Sequence, residues 1–340
     1  ATFGLDGFWF HEPKIWNLQS KISKQAGAHY IKAGGEFRQL RTLAARPRPM
    51  GFTFFKDHTA DTFINPDTRF RGDAWATFLL GVVDQSSRIQ NIPMNKPIID
   101  FWGAYVQDDF KLTPDLTLNL GLRWEYETSY RDPEDRLSRF LDLTSPIPEF
   151  QGAGTPVMPS QVTALGAPRP IYNGAWIFTD SDNRGTWESQ LPLLLPRAGL
   201  AYRINDRTAF RVGYARYATP SDLEGRSIDP LGSMPYPGFD QTTNPLSVLE
   251  GIPRARLSDP YPARENPLVP PIGKTLGRYT GLGADLTWFN QNWKAGINDR
   301  FNVTIQRQIF SQIVIEATYF VNFGHDQSHP VKNLNQVDPR

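Results

Sequence analysis

Between Leu116 and Tyr126 hydrophobic and polar positions alternate without a break. Leu116, Leu118, Leu120, Leu122, Trp124 and Tyr126 fall on one face of an extended chain, and Thr117, Asn119, Gly121, Arg123 and Glu125 fall on the other. This period of two predicts a strand with one apolar and one polar side. The segment before it, from Phe101, is rich in aromatic and β-branched residues. Thr113-Pro114-Asp115 separates the two with turn chemistry, proline presetting φ and aspartate bonding to its own backbone. Residues 98–127 together predict a β-hairpin.

The same signal recurs three times. In 13–42, Trp16, Leu18 and Ile22 share a face, the turn lies near Gly27, and Ile31, Ala33, Gly35 and Phe37 oppose Lys32, Gly34, Glu36 and Arg38. In 193–217, Phe210, Val212 and Tyr214 oppose Arg211, Gly213 and Ala215 after a turn at Asn205-Asp206. In 299–323, Phe301, Val303 and Ile305 oppose Asn302, Thr304 and Gln306, and Ile313, Ile315, Ala317, Tyr319 and Val321 continue the apolar face. Residues 43–97, 128–192 and 218–298 are long connections, rich in proline and glycine. Within them Asp73–Gly81 reads as one short helix, and Ser86–Ile92 and Ile171–Phe178 as short strands.

Turns of two to five residues within hairpins and connections of fifty to eighty between them argue against a compact soluble domain. They fit an antiparallel transmembrane β-barrel, with short periplasmic turns and long extracellular loops. The physical cause is the bilayer, which offers backbone groups no water and admits only helices and closed sheets. Trp16, Tyr30, Phe110, Trp124, Tyr126 and Tyr319 fit aromatic girdles at its two interfaces. A soluble β-sandwich would show the same alternation, with Leu118, Leu120 and Leu122 buried under a second layer. A soluble carbohydrate-binding β domain is the functional form of that alternative.

Composition sharpens the picture by exclusion. Lys plus Arg number 36 and Asp plus Glu 35, a balance that lacks the basic footprint of a nucleic-acid binder. With no cysteine, disulfides, cysteine metal sites and thiol nucleophiles are ruled out. No run of about 18 apolar residues is present, which excludes a spanning helix but not a barrel, whose strands need roughly 9 to 11 residues with alternate positions apolar. A mean hydropathy of −0.44 is compatible with that economy.

YVQDDFKLTPDLTLNLGLRWEY (Tyr105 to Tyr126), LPRAGLAYRINDRTAFRVGYARY (Leu195 to Tyr217) and FNVTIQRQIFSQIVIEATYFVNFGHD (Phe301 to Asp326) resemble barrel segments of TonB-dependent outer-membrane receptors, particularly the Oar-like group. The similarity implies that residues 1–340 are an internal portion of a barrel of twenty-two strands. It also implies a plug domain, not seen here, that couples ligand uptake to the inner membrane through TonB. The expected setting is the outer membrane of a diderm bacterium, with membrane lipid and the TonB system as partners. The ligand would be a small molecule, a peptide or a glycan, and neither a cofactor nor enzymatic activity is expected. A barrel that anchors structural or adhesive loops is the alternative.

Candidate chemistry is sparse. Arg123, Glu125 and Arg211 are expected to line a wet passage. Among loop aromatics, Trp176, Trp187, Tyr236 and Trp288, with Tyr261 and Tyr279, are candidates for ligand contact, packing between loops being the equal alternative. His325 and His329 approach ligand spacing around Asp326, but they follow a strand, not a helix, and no metal is expected. Asp108 and Asp109 are adjacent in an extended chain and point to opposite faces, so they do not converge on a substrate.

Overall fold

The structure is a computed structural model. It describes the chain apart from residues 1, 5–9, 46–47, 61–71, 84–87, 92–93, 148–159, 167–172, 189–190, 221–237, 240, 247–253, 281–287, 289, 293 and 328–340. Its strands in chain order are β1 (Thr2–Gly4), β2 (Phe10–Ala26), β3 (His29–Ala45), β4 (Arg48–Thr53), β5 (Arg88–Asn91), β6 (Ile98–Lys111) and β7 (Leu116–Glu127). There follow β8 (Ser138–Pro146), β9 (Asn173–Phe178), β10 (Leu193–Asn205), β11 (Thr208–Thr219), β12 (Gln241–Thr243), β13 (Gly296–Phe310) and β14 (Ile313–His325). Helices are few and short, chiefly α1 (Ala74–Leu79) and α2 (Ser160–Ala164). Asp73 caps α1 by accepting from the Trp75 and Ala76 N–H groups at 2.8 and 3.0 Å.

Eight strands form one antiparallel meander in the order β14-β13-β11-β10-β7-β6-β3-β2. Each is 12 to 17 residues long, beyond what a tilted strand needs to cross hydrocarbon. The four hairpin turns share one end of the sheet, and the three long connections share the other. Among the described residues β2 and β14 are edge strands, each hydrogen-bonded on one side only.

Cross-strand register puts every alternating set on one side. Trp102, Ala104 and Val106 stand opposite Tyr126, Trp124 and Leu122, so β6 continues the apolar face of β7. Phe101 and Tyr105 lie on the polar face, opposite Glu127 and Arg123. On the apolar face Leu18, Ile22 and Tyr319 are more than 70% exposed and Leu120 is 53% exposed. Among the described residues no second layer covers Leu120 and Leu122, which are 53% and 44% exposed, and Leu118 is only half-buried, so the sandwich reading fails. So wide an apolar surface exceeds what soluble monomers expose, whereas in hydrocarbon it is the favourable arrangement.

Aromatic groups on that face gather at two levels. Phe37, Trp102, Tyr126 and Trp124 form a run of neighbouring rings toward the loop end, and Tyr214, Phe301 and Phe323 form another. His29 stacks on Phe110 at 4.2 Å beside the turns. Tyr30 lies on the polar face instead, opposite Asp109, because it follows His29 by one residue and the period is two.

The long connections carry structure of their own. β1, β4, β5 and β12 form a small sheet, and β8 pairs with β9. Strand β8 carries a weaker signal than its partner because Asp142 interrupts its apolar run. Pairing with β9 and burial of Leu141 and Trp176 fix it. A core of Ile99, Tyr130, Leu137, Trp187 and Ala295 seats these segments on the end of the sheet. Ile98 and Arg131 exchange backbone hydrogen bonds at 2.8 and 3.0 Å, and the buried Arg136 pairs with Asp132 at 2.7 Å.

Candidate functional site

The polar face of the sheet gathers charged side chains along its length, and it divides into two halves. On β3, β6 and β7, register aligns Glu36, Gly103 and Glu125 in a row across three strands. Glycine leaves the middle place open, and the Arg123 guanidinium fills it: a Cβ on Gly103 would lie 2.9 Å from its Nη2. Arg123 therefore reaches across β6, donating to Glu125 at 2.5 Å and to Glu36 at 3.3 Å. All three side chains are about one-fifth exposed or less, so the charges are mutually compensated rather than offered to solvent. Nearer the turns, Lys32 donates to Asp109 at 2.6 Å, and Asn119 and Gln107 donate to the other oxygen of that carboxylate. Arg38 covers the Phe101 ring at 4.9 Å.

The half built by β10, β11 and β13 is different. Arg197, Ala215 and Arg300 form one row, and Gly199, Gly213 and Asn302 the next row toward the turns. The row after that contains Ala201, Arg211 and Thr304. Arg197 and Arg300 lie against the same ring, that of Tyr217, at 5.2 and 4.9 Å from its centroid. Arg300 also donates to Asn322 at 3.3 Å, and Arg211 to Gln306 at 3.2 Å. Among the described residues these partners are all neutral.

The alternation expects Arg123, Glu125 and Arg211 on the polar face, and register puts all three there. Register joins the first two and sets Arg211 in the other half. Trp187 is 2% exposed and meets Tyr130 edge-on at 5.3 Å; Trp176 is 6% exposed on β9, and Trp288 is half-buried in the last long connection. The two buried tryptophans thus hold the loops together. Tyr236 and His329 lie outside the described residues. His325 approaches Asp326 at 3.0 Å and Asp299 at 3.6 Å, and among the described residues no three metal-ligating side chains converge. A cavity of about 20 Å³ between Phe101, Glu125, Leu193 and Ala295 has room for about one water.

Arg197, Tyr217 and Arg300 are not distinguished by the sequence, and Glu36 only as a polar-face charge. Each sits at a period-two polar position, which is the only signal one strand carries. Their grouping depends on register between strands far apart in the chain. In the loops, burial pushes the Lys274 amine below its usual range, against the pull of Asp135, Asp180 and Asp132; its Nζ donates to the Thr179 carbonyl at 2.5 Å. Asp180 is held below the usual carboxylate range by the backbone N–H groups of Asn183 and Asp182.

Comparison with known proteins follows the same line. No curated protein matches the chain. Among solved structures it is similar to the ferric-catecholate import receptor Fiu from E. coli K12 in its closed form, at 12% identity and a TM-score of 0.39, over 92% of this chain and 31% of that one. It is similar to the copper transporter OprC at 10% identity and 0.41, over 92% and 30%. It is also similar to the siderophore receptor PiuA from Acinetobacter baumannii at 11% and 0.39, over 92% and 32%. The chain thus spans about a third of the length of these structures. The family model described as the outer membrane beta barrel domain matches residues 4–340, and the chain belongs to that family, a protein of the Gram-negative outer membrane.

Proposed function

We propose that this chain forms part of the wall of an energy-coupled uptake barrel, taking a ligand across the outer membrane with TonB as the source of work. The observation that carries this reading is the open edge at each side of the eight-stranded sheet. In hydrocarbon an unpaired edge leaves a row of N–H and C=O groups without partners, so further strands must close it. A barrel enlarged in this way has a lumen wide enough for a solute and a plug, whereas eight strands alone are filled by their own side chains. Arg123, Glu125 and Arg211 line the passage on this reading, and Trp288 belongs to the extracellular entrance. The resemblance to Oar-like receptors supports a coupling plug elsewhere in the full-length protein.

The test is photo-crosslinking of the full-length protein to TonB in energised cells. A crosslink that disappears when the inner membrane is de-energised is the expected result. A barrel whose packed loop cap, with Trp187 and the Arg136–Asp132 pair at its centre, serves as a structural or adhesive surface gives no such crosslink.

A further inference from the structure

Arg197, Arg211 and Arg300 are exposed on the polar face, and none lies within ion-pair reach of a carboxylate among the described residues. Arg197 and Arg300 occupy one row, on either side of Ala215, and both guanidinium groups lie against Tyr217, one row toward the loops. Arg211 stands two rows nearer the turns, roughly 14 Å along the sheet, and bonds to Gln306. Between them Asn302 covers Gly213, where a Cβ would lie 2.5 Å from its Oδ1. Tyr217 holds the two upper guanidinium groups against one ring, which positions like charges together with no anion between them. The paired half of the wall shows that the same face neutralises arginine with glutamate when neutrality is the outcome.

We propose that Arg197 and Arg300 form an oxyanion-binding station on the lumenal wall, taking a solute that presents two or more carboxylate or phosphate groups. The guanidinium forks supply paired N–H donors to each oxyanion. Tyr217 is a positioning residue. The station deepens the uptake reading, because it gives that passage a ligand class.

Calorimetric titration of the full-length protein in detergent micelles tests it, with citrate and pyrophosphate as probes and glucose as the neutral control. The wild type binds at least one of the two anions and not glucose, and which one it binds separates a carboxylate from a phosphate ligand. Arg197→Gln and Arg300→Gln each weaken binding about tenfold, and the double variant abolishes it. Tyr217→Phe binds as the wild type does, and Tyr217→Ala binds more weakly. Arg203→Gln, whose guanidinium is paired with Asp115 at the turns, leaves binding within about twofold. Retained β-sheet circular dichroism in each variant ties the losses to the site. Binding of neither anion by the wild type, or wild-type binding by the double variant, overturns the station. A TonB crosslink alongside either result leaves the uptake reading standing without the station, and anion binding without a crosslink does the reverse.

Discussion

The two halves of the polar face use similar residues to opposite ends. Across β3, β6 and β7, Arg123 lies in the gap left by Gly103 and joins two glutamates, and Lys32 meets Asp109. Across β10, β11 and β13, Arg197, Arg211 and Arg300 stand near a tyrosine, a glutamine and an asparagine, with no carboxylate in ion-pair reach among the described residues, whereas Arg203 at the turns pairs with Asp115 and Arg216 on the apolar face with Asp299. A compensated cluster fixes strand positions and presents little net field. An uncompensated one leaves the sheet less stable than it could be and attracts anions. The difference shows that a charged lumenal face is not one functional surface: part of it holds the wall together, and part is free to act.

Both halves presuppose that the opposite face meets lipid, and breaking that assumption has the largest effect. Leu122→Arg puts a cation into hydrocarbon and is expected to cost about 2–4 kcal/mol in unfolding from lipid vesicles, while Asn119→Arg on the polar face costs under about 1. Next comes the compensated cluster. Arg123→Gln leaves Glu36 and Glu125 facing each other, both less than one-fifth exposed, and is expected to cost about 2 kcal/mol in the same measurement. Gly103→Leu fills the space that Arg123 crosses and costs about 1–3 kcal/mol, which the pair Gly103→Leu with Arg123→Ala partly recovers in a double-mutant cycle. Arg197→Gln, in the uncompensated half, changes unfolding by about 0.5 kcal/mol or less.

The smallest effect is in the loops. Asp180 and Asp142 both titrate below the usual carboxylate range, Asp180 through the Asn183 and Asp182 N–H groups and Asp142 through hydrogen bonds from Ser145 and Thr144. A depressed folded value means that their contribution is present above the ordinary value of 3.8 and lost as pH falls through the depressed one. Hydrogen exchange in residues 138–146 and 173–188 is therefore expected to quicken below about pH 4 while the eight-stranded sheet stays protected.

The sheet was legible in the chain because its signal is local. The run from Leu116 to Tyr126 declares its two faces within eleven letters, and the contrast of short turns with long connections declares the architecture. The small sheets of the loop cap were less legible. Strand β8 and the role of Trp187 depend on contacts with segments dozens of residues away, such as the carbonyl of Leu137 accepting from the N–H of Thr179. The candidate site lies between these cases. The alternation identifies Arg123 and Arg211 as polar-face residues, but only register shows that Gly103 opens a path from Arg123 to Glu36, and that Ala215 separates Arg197 from Arg300.

The face assignment is the central claim, and the absence of cysteine from residues 1–340 makes every position of the sheet open to single-cysteine labelling, with any cysteine elsewhere in the full-length protein replaced by serine. Single cysteines at Leu120, Leu122, Asn119 and Gly121 of β7 are spin-labelled in the full-length protein in bilayers, and their collision rates with oxygen and with a water-soluble nickel chelate are compared. Labels at 120 and 122 are expected to collide with oxygen and be shielded from nickel, and labels at 119 and 121 to show the reverse. Equal access of nickel to all four positions would contradict the membrane-facing sheet.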